Sequence, residues 1–528
     1  MVPCVIFEDD HLLAVHKPAG WNTHAPAPCA GEGIYDWLRH REPRWGRLAI
    51  LHRLDKETSG VLVFGKTPLA NKSLTEQFTD RSVHKKYLLL TDRPVREDHF
   101  IVHSKIARAG DHYINAAHGE AAETHFTVIR RNRDHTWIEA RPLTGRTHQI
   151  RVHMAGKGLP ILGDALYGGA ASTRVCLHAA ELTFTHPATA EPMTLRAETH
   201  FFEPPADALR QAIADPETNS LRLRHGASDG TPGLYVERLG DWLLAQGELD
   251  FADRDAVARL HNAARPYPVK GIYYKKLDRK PSAKSLADLS PKLVYGEPAP
   301  ERFEIRENGL RYELSFSEGY SVGLFLDQRD NRRRWLTGHV AAGFPLFEAD
   351  RLPAKREILN CFAYTCGFSV AAAQAGARTT SLDLSKKYLE WGRRNFALNR
   401  LDPSAHDFIY GDTFDWLRRL AKKGRLFDAI VLDPPTFSKS KEHGTFRAEK
   451  DYGQLVTAAL PILKPGGVVL ASTNAALWPP EAFLATIEKA VQAAKRSIRQ
   501  RHYGPQPPDF PISAAEPAYL KTVWVRIA

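Results

Sequence analysis

Cysteine is scarce: the 528 residues hold five, at Cys4, Cys29, Cys176, Cys361 and Cys366. An odd, scattered set excludes a disulfide framework. No Cys/His grouping has the spacing of a closed zinc site. Cys361 and Cys366 lie close together and read as buried small residues. Long apolar runs are also missing. No stretch reaches the roughly 18 apolar residues a membrane-spanning helix needs. The opening MVPCVIFEDDHLLAVHKPAG carries charge too early for a secretory leader. Internal repeats and low-complexity tracts are absent. A reducing cytoplasm, no membrane association and no obligate protein partner are the expectations that follow.

What is present is enough apolar matter for real cores: 43% hydrophobic and 10% aromatic residues. A chain this long holds two or three domains. Lys and Arg outnumber Asp and Glu by 72 to 61, a net charge of +11. Such an excess suits a polyanionic partner, because each neutralised phosphate releases counterions. An ordinary basic enzyme shows the same balance.

Three textures divide the chain. Residues 1–204 are rich in His, Thr and Arg, with short alternating runs such as VLVF (61–64) and KYLLL (86–90), which read as strands. LANKSLTEQFTD (69–80) reads as a helix. Pro204–Pro205 marks a boundary. Residues 205–300 are mixed: strand, Gly/Pro loop, strand, turn and strand over 221–249, then a helix candidate at 253–266. From 301 to 528, strands alternate with helices: EILNCF, TTSLDL, DFIYGD, FDAIVLD, GVVLAS and a terminal YLKTVWVRI, with helical segments between them. That alternation means βαβ units and a mostly parallel, Rossmann-like sheet.

LHRLDKETSGVLVFGKT (51–67) sets Asp55 in a loop between apolar strands. Alone, such an Asp is usually a turn or cap residue. The order of HKPAGWNTH (16–24), HRLDKETSG (52–60), KKY (85–87), TGRTHQIRVH (144–153), ILGDALYG (161–168) and LHAAELTFTHP (177–187) resembles the RluA-like pseudouridine synthases over nearly all of residues 1–200. That resemblance implies a mixed α+β catalytic domain dominated by antiparallel sheet. It implies Asp55 as nucleophile, Arg146 as its cationic partner and Tyr87 as the active-site aromatic. Arg53 would fill the space of the extruded uridine, with His52 beside it against substrate. No cofactor is implied. The family often carries an S4-type RNA-binding domain ahead of these motifs. Here they begin at residue 16, so another element is expected to supply that grip.

In the third region, LNCFAYTCGFSV (359–370) replaces the usual Gly-x-Gly-x-Gly turn. Asp383 follows Thr365 by 18 residues at a strand end, a position from which an acid takes a ribose hydroxyl. Asp412 and Asp433 end the next two strands. Each lone acid is commonly a helix cap, but three at successive strand ends suit a ligand site. These features, with LDPPTFSKSK (432–441), GLFLDQRDNRRRW (323–335) and EPAYLKTVW (516–524), resemble the RlmI/RlmK group of class I S-adenosylmethionine-dependent large-subunit rRNA methyltransferases. RHGASDGTPGLYVERLGDWL (224–243) resembles that group's small α+β subdomain, so the resemblance runs from about residue 215 onward. It implies a cofactor site of Phe362, Ala363, Tyr364, Thr365, Asp383, Asp412 and Asp433, with Pro434 and Pro435 against the base.

Carbon-5 methylation of cytosine needs a thiolate. The place where that branch carries a Cys reads LASTNAAL (470–477) here. A guanine nitrogen such as N7 needs only orientation and is the expected target. The basic stretches RDNRRRW (329–335), KKLDRK (275–280), near Tyr273 and Tyr274, and KSKEHGTFRAEK (439–450) are usually solvated faces. With two base-modifying heads, Arg329 and its run are expected to touch phosphate of an RNA, large-subunit rRNA by the resemblance. The alternatives are an RNA-binding or ribosome-assembly factor with an inactive methyltransferase head, and cytosine carbon 5 as the target.

Overall fold

The computed structural model describes residues 2–248, 260, 267–277, 290–318, 321–348, 356–440 and 444–528. The expected helix over 253–266, apart from Leu260, and the second half of KKLDRK lie outside them, as do Glu442 and its two neighbours in KSKEHGTFRAEK. The chain divides into two compact units. One comprises Met1–Pro26, Gly33–Leu38 and Arg47–Ala214; the other comprises Ala27–Glu32, Arg39–Gly46 and Asp215–Ala528. The division falls after Ala214 rather than at 204. Pro205 starts the helix Pro205–Ile213 instead of ending the first unit, in line with the preference of Pro for a helix's first turn.

The first unit is built on an eleven-stranded sheet. One inner strand, Ser59–Gly65, pairs antiparallel with Leu12–Lys17 and parallel with Leu177–Thr185. Val61, Leu62, Val63 and Phe64 are at most 1% exposed. Burying each contributes roughly 1.5–3 kcal/mol, so this strand anchors the loop that precedes it. Leu177–Thr185 continues to His84–Thr91, then Thr136–Pro142, Glu120–Arg131 and His99–Ala109, all antiparallel. The helix Pro68–Thr79 starts at Thr67, whose hydroxyl accepts from Ala70 N, a standard N-cap.

In the second unit, seven strands lie in the order Asp407–Tyr410, Arg378–Asp383, Glu357–Cys361, Phe427–Leu432, Leu463–Thr473, Lys521–Ile527, Ile498–Gly504. All run parallel except Lys521–Ile527, which is antiparallel to both of its neighbours, Leu463–Thr473 and Ile498–Gly504. Six of the strands match the sequence reading; Ile498–Gly504, with its charged RQRH, was not foreseen. The strand order reverses between Glu357–Cys361 and Phe427–Leu432, which opens a crevice at their carboxyl ends. A separate five-stranded sheet runs Ser220–His225, Leu234–Leu239, Trp242–Gly247, Gly271–Lys276 and Lys292–Gly296. Among the described residues, no helix is long and apolar enough to cross a membrane.

Candidate active sites

Asp55 lines a cavity of about 830 Å³ in the first unit, together with His52, Arg53, Tyr87 and Arg146. Its loop is pinned on both sides. The Thr23 hydroxyl donates to Leu54 O (2.9 Å) and accepts from Leu54 N (3.2 Å). The buried Lys17 ammonium donates to Lys56 O, Pro18 O and Trp21 O at 2.7–3.1 Å, and Gly20 N also donates to Lys56 O. Burial brings Lys17 down to about 7. HKPAGWNTH thus acts as a buttress for HRLDKETSG. Gly60 sits at φ +125°, where a Cβ would lie 2.2 Å from Ala179 O. A glycine is required at that crossing.

Burial raises the Asp55 carboxyl, while His148 and Arg151 pull it down. The cation recorded against it is therefore not the expected Arg146. Arg151 Nη1 lies 3.9 Å from Asp55 Oδ2 and 3.8 Å from Glu57 Oε2. That nitrogen is buried without a hydrogen-bond partner, while Nε and Nη2 hold Asp164 bidentately at 2.7 and 2.8 Å. Arg146 turns to Glu120 (2.7 Å) and keeps its place on the cavity wall. The reason is local. The helix Gln149–Gly156 begins after Arg146 and carries Arg151 inward, whereas Arg146 stays on the loop, its N–H held by Gln149 Oε1.

Tyr87 is raised by burial and by Asp55, so its phenol stays protonated. Arg53 is exposed at the cavity. His52 is held near 3 by burial, with a further push from Lys85. Its Nε2 accepts from Val63 N and its ring stacks on Phe78. A neutral imidazole that braces the wall is what the geometry gives it.

The crevice of the second unit holds a cavity of about 420 Å³, lined by Phe362, Ala363, Tyr364, Thr365, Asp383 and Asp433, with Pro434 and Pro435 on its rim. Phe362, Tyr364 and Cys366 all have positive φ, at 58°, 48° and 64°, so side-chain-bearing residues take conformations usually left to glycine. Room is made on the facing helix: a Cβ at Gly392 would lie 2.3 Å from Cys366 Sγ. Asp383 accepts from Tyr364 N and Ser385 N, both at 2.8 Å. A carboxylate has about four acceptor sites, so it retains capacity for a hydroxyl. Asp412 accepts from Asp415 N, capping the helix Thr413–Lys422. It borders an adjoining space of about 150 Å³ with Phe362, Phe414 and Phe446. An acid at a strand end, an aromatic slot and a strained turn suit a nucleoside cofactor such as S-adenosylmethionine, which supplies the methyl group when bound.

Burial pushes Asp433 up to about 6. Gln328, not singled out from the sequence, donates to it at 3.1 Å and to Ser472 Oγ at 2.8 Å. The cavity lining contains no cysteine; Cys361 and Cys366 are buried, and burial raises both thiols, Cys366 to about 12.

The expected phosphate contact of Arg329 is overturned. Arg329 is 5% exposed and holds the fully buried Asp509 bidentately at 2.6 and 2.9 Å. Arg332 holds the buried Glu307 in the same way. RDNRRRW is an internal ion-pair helix, since desolvated guanidiniums persist only with such partners. Tyr273 and Tyr274 are buried as well.

Comparisons with known proteins find a domain of known kind in each half of the chain. Residues 11–156 match the family model described as RNA pseudouridylate synthase, and residues 282–526 match S-adenosylmethionine-dependent methyltransferase. Ribosomal RNA large subunit methyltransferase I of Cronobacter sakazakii is 33% identical over 308 residues, covering 57% of this chain and 73% of that protein. Ribosomal RNA large subunit methyltransferase of Deinococcus radiodurans is 33% identical over 333 residues, 61% of this chain and 76% of the other. A candidate methyltransferase crystallised with SAH superposes with a TM-score of 0.52 at 30% identity, over 61% of this chain and 79% of that one. The chain belongs to the S-adenosylmethionine-dependent methyltransferase family of these relatives, and carries an RluA-like pseudouridine synthase domain ahead of it in the same polypeptide.

Proposed function

We propose that this protein modifies large-subunit rRNA twice, making pseudouridine at the Asp55 cavity and methylating a guanine nitrogen, such as N7, at the Asp433 cavity. The observation that carries the first half is the Asp55 carboxylate with Arg151 Nη1 beside it and a protonated Tyr87 on the same cavity. A carboxylate so placed attacks ribose carbon 1′ as the glycosidic carbon–nitrogen bond breaks. The base turns, its carbon 5 bonds to carbon 1′ as the bond to Asp55 breaks, the carbon-5 proton leaves to a base or water, and the freed ring nitrogen takes up a proton. Arg151 favours the ionised form of Asp55 against the burial that raises its carboxyl. Arg53, exposed at the cavity, fills the space of the extruded base, with His52 bracing the wall behind it.

The absence of any cysteine from the described lining of the second cavity supports a nitrogen target. Carbon-5 methylation needs a thiolate adduct, whereas a ring nitrogen brings its own lone pair and needs only alignment. In this reading Phe362, Tyr364, Asp383 and Asp412 hold the cofactor, and Pro434 and Pro435 pack on the base. The relatives' names supply the large-subunit rRNA, and five free cysteines suit a cytoplasmic setting. Covalent fusion of the heads suggests that both targets lie on one RNA.

The test is mass spectrometry of rRNA nucleosides from cells with and without the gene. Loss of one pseudouridine and one methylguanosine is expected. Loss of 5-methylcytidine instead would overturn the nitrogen assignment, and unchanged pseudouridine would overturn the first half.

A further inference from the structure

Behind the Asp433 cavity runs a chain of side-chain amides whose directions are not free. It starts at Asn331, 2% exposed, on the helix Arg329–Thr337. Asn331 Oδ1 receives Arg334 Nη1 at 2.9 Å and Trp524 Nε1 at 3.2 Å. Guanidinium and indole N–H groups only donate, so this end of the Asn331 amide must be its oxygen. Its Nδ2 then faces Gln328 and donates to Gln328 Oε1 at 2.6 Å, and to Thr522 Oγ1 at 3.2 Å. That in turn fixes Gln328, 3% exposed. Its oxygen is engaged, so its Nε2 must point at Asp433 Oδ2 and Ser472 Oγ. Two donor-only groups thus decide, through two amides, that a donor meets Asp433.

We propose that Gln328 is the positioning residue of the methyl-transfer site, oriented by Asn331 so that it holds one oxygen of Asp433 on the protein side and leaves the carboxylate's remaining acceptor capacity to an N–H of the incoming base. The proposal rests on the methyl-transfer reading for the identity of that base. A reversed Gln328 would set its oxygen against Asp433 Oδ2, and the carboxyl would bind a proton to relieve the contact. A protonated Asp433 offers the base a hydrogen where it needs an acceptor. Asp327, from the turn Leu326–Gln328, also raises Asp433, while Arg332 and the Ser472 hydroxyl lower it. The phenol of Tyr452 lies near enough to be raised by it in turn. Gln328 is uncharged, so its effect on Asp433 depends on which end of its amide faces the carboxylate.

The experiment reads Asp433 directly, without substrate. The full-length protein is labelled at aspartate carboxyl carbons, and Asp433→Asn identifies the signal by ¹³C NMR. The wild-type midpoint is expected near 6. Gln328→Met removes the donor, and Asn331→Asp leaves nothing to donate to Gln328 Oε1, so the amide reverses. Each moves the midpoint up by about one unit. Where Asn331→Asp does not fold, Asn331→Ala removes the same donor. Calorimetric affinity for S-adenosylmethionine stays within about twofold, and pseudouridine formation by the same chain is unchanged. An unmoved midpoint in Gln328→Met overturns the role of Gln328, and a rise there without one at Asn331 overturns the orienting chain. A wild-type protein that titrates as expected yet transfers no methyl group to RNA counts against the methyl-transfer reading and leaves the positioning intact.

Discussion

Removing Arg151 should move the pH dependence of pseudouridine formation upward. The perturbation is Arg151→Met combined with Asp164→Asn, because Asp164 is 1% exposed and cannot be left charged without its partner. Losing one member of such a buried pair alone costs about 3–5 kcal/mol. Two unit charges 3.9 Å apart interact by about 4 kcal/mol at an effective dielectric of about 20. Asp55 is 24% exposed and shares the cation with Glu57, so roughly 1.5–2 kcal/mol is a fair fraction. That equals just over one unit of pKa. Arg151 lowers the Asp55 carboxyl, so its loss raises it further, and ionisation then requires a higher pH. The acid limb of the rate profile is expected to shift up by about one unit, with a roughly tenfold lower rate below it. The assay is pseudouridine formation in rRNA of a strain lacking the gene, measured from pH 5 to 9 alongside a thermal melt. A uniform loss of rate with an unmoved limb would refute the electrostatic argument and leave Arg151 a purely structural role.

Asp55→Asn should abolish pseudouridine while leaving methyl transfer to the same RNA largely intact; persistence of pseudouridine would remove Asp55 as the nucleophile. Arg329→Ala should lower stability by about 3–5 kcal/mol, since it strands the buried Asp509. Denaturant melts read that loss, and the salt dependence of RNA binding should not change. Gly392→Ala should lower the melting temperature and weaken S-adenosylmethionine binding by calorimetry, through collision with Cys366 Sγ. Cys366→Gly on the same chain should restore both.

Much of this was legible in sequence, for identifiable reasons. The alternation of strands and helices beyond residue 356 gave the doubly wound sheet, because apolar strands such as FDAIVL are buried on both faces. Ordered motifs singled out Asp55 and Tyr87, which line one cavity. Arg146 and Arg151 stand five residues apart in one basic motif, and no periodicity tells which faces Asp55. That depends on where the helix starts and on Asp164, thirteen residues further on. RDNRRRW read as a solvated charge run because its partners, Glu307 and Asp509, lie 25 and 180 residues away. Gln328 stood next to that run, and its role emerged only once Asn331, Ser472 and Asp433 met in space. A window of sequence carries charge and period; it does not carry long-range pairing.

The accommodation between Cys366 and Gly392 bears on how this family drifts. A side chain at 366 fits because 392 has none, so neither position is free to change alone. Among relatives, chains with glycine at the turn are expected to fill the helix position with alanine or serine, and chains with a larger turn residue to keep it empty. A change at both positions avoids the clash only where the helix position is emptied before the turn is filled.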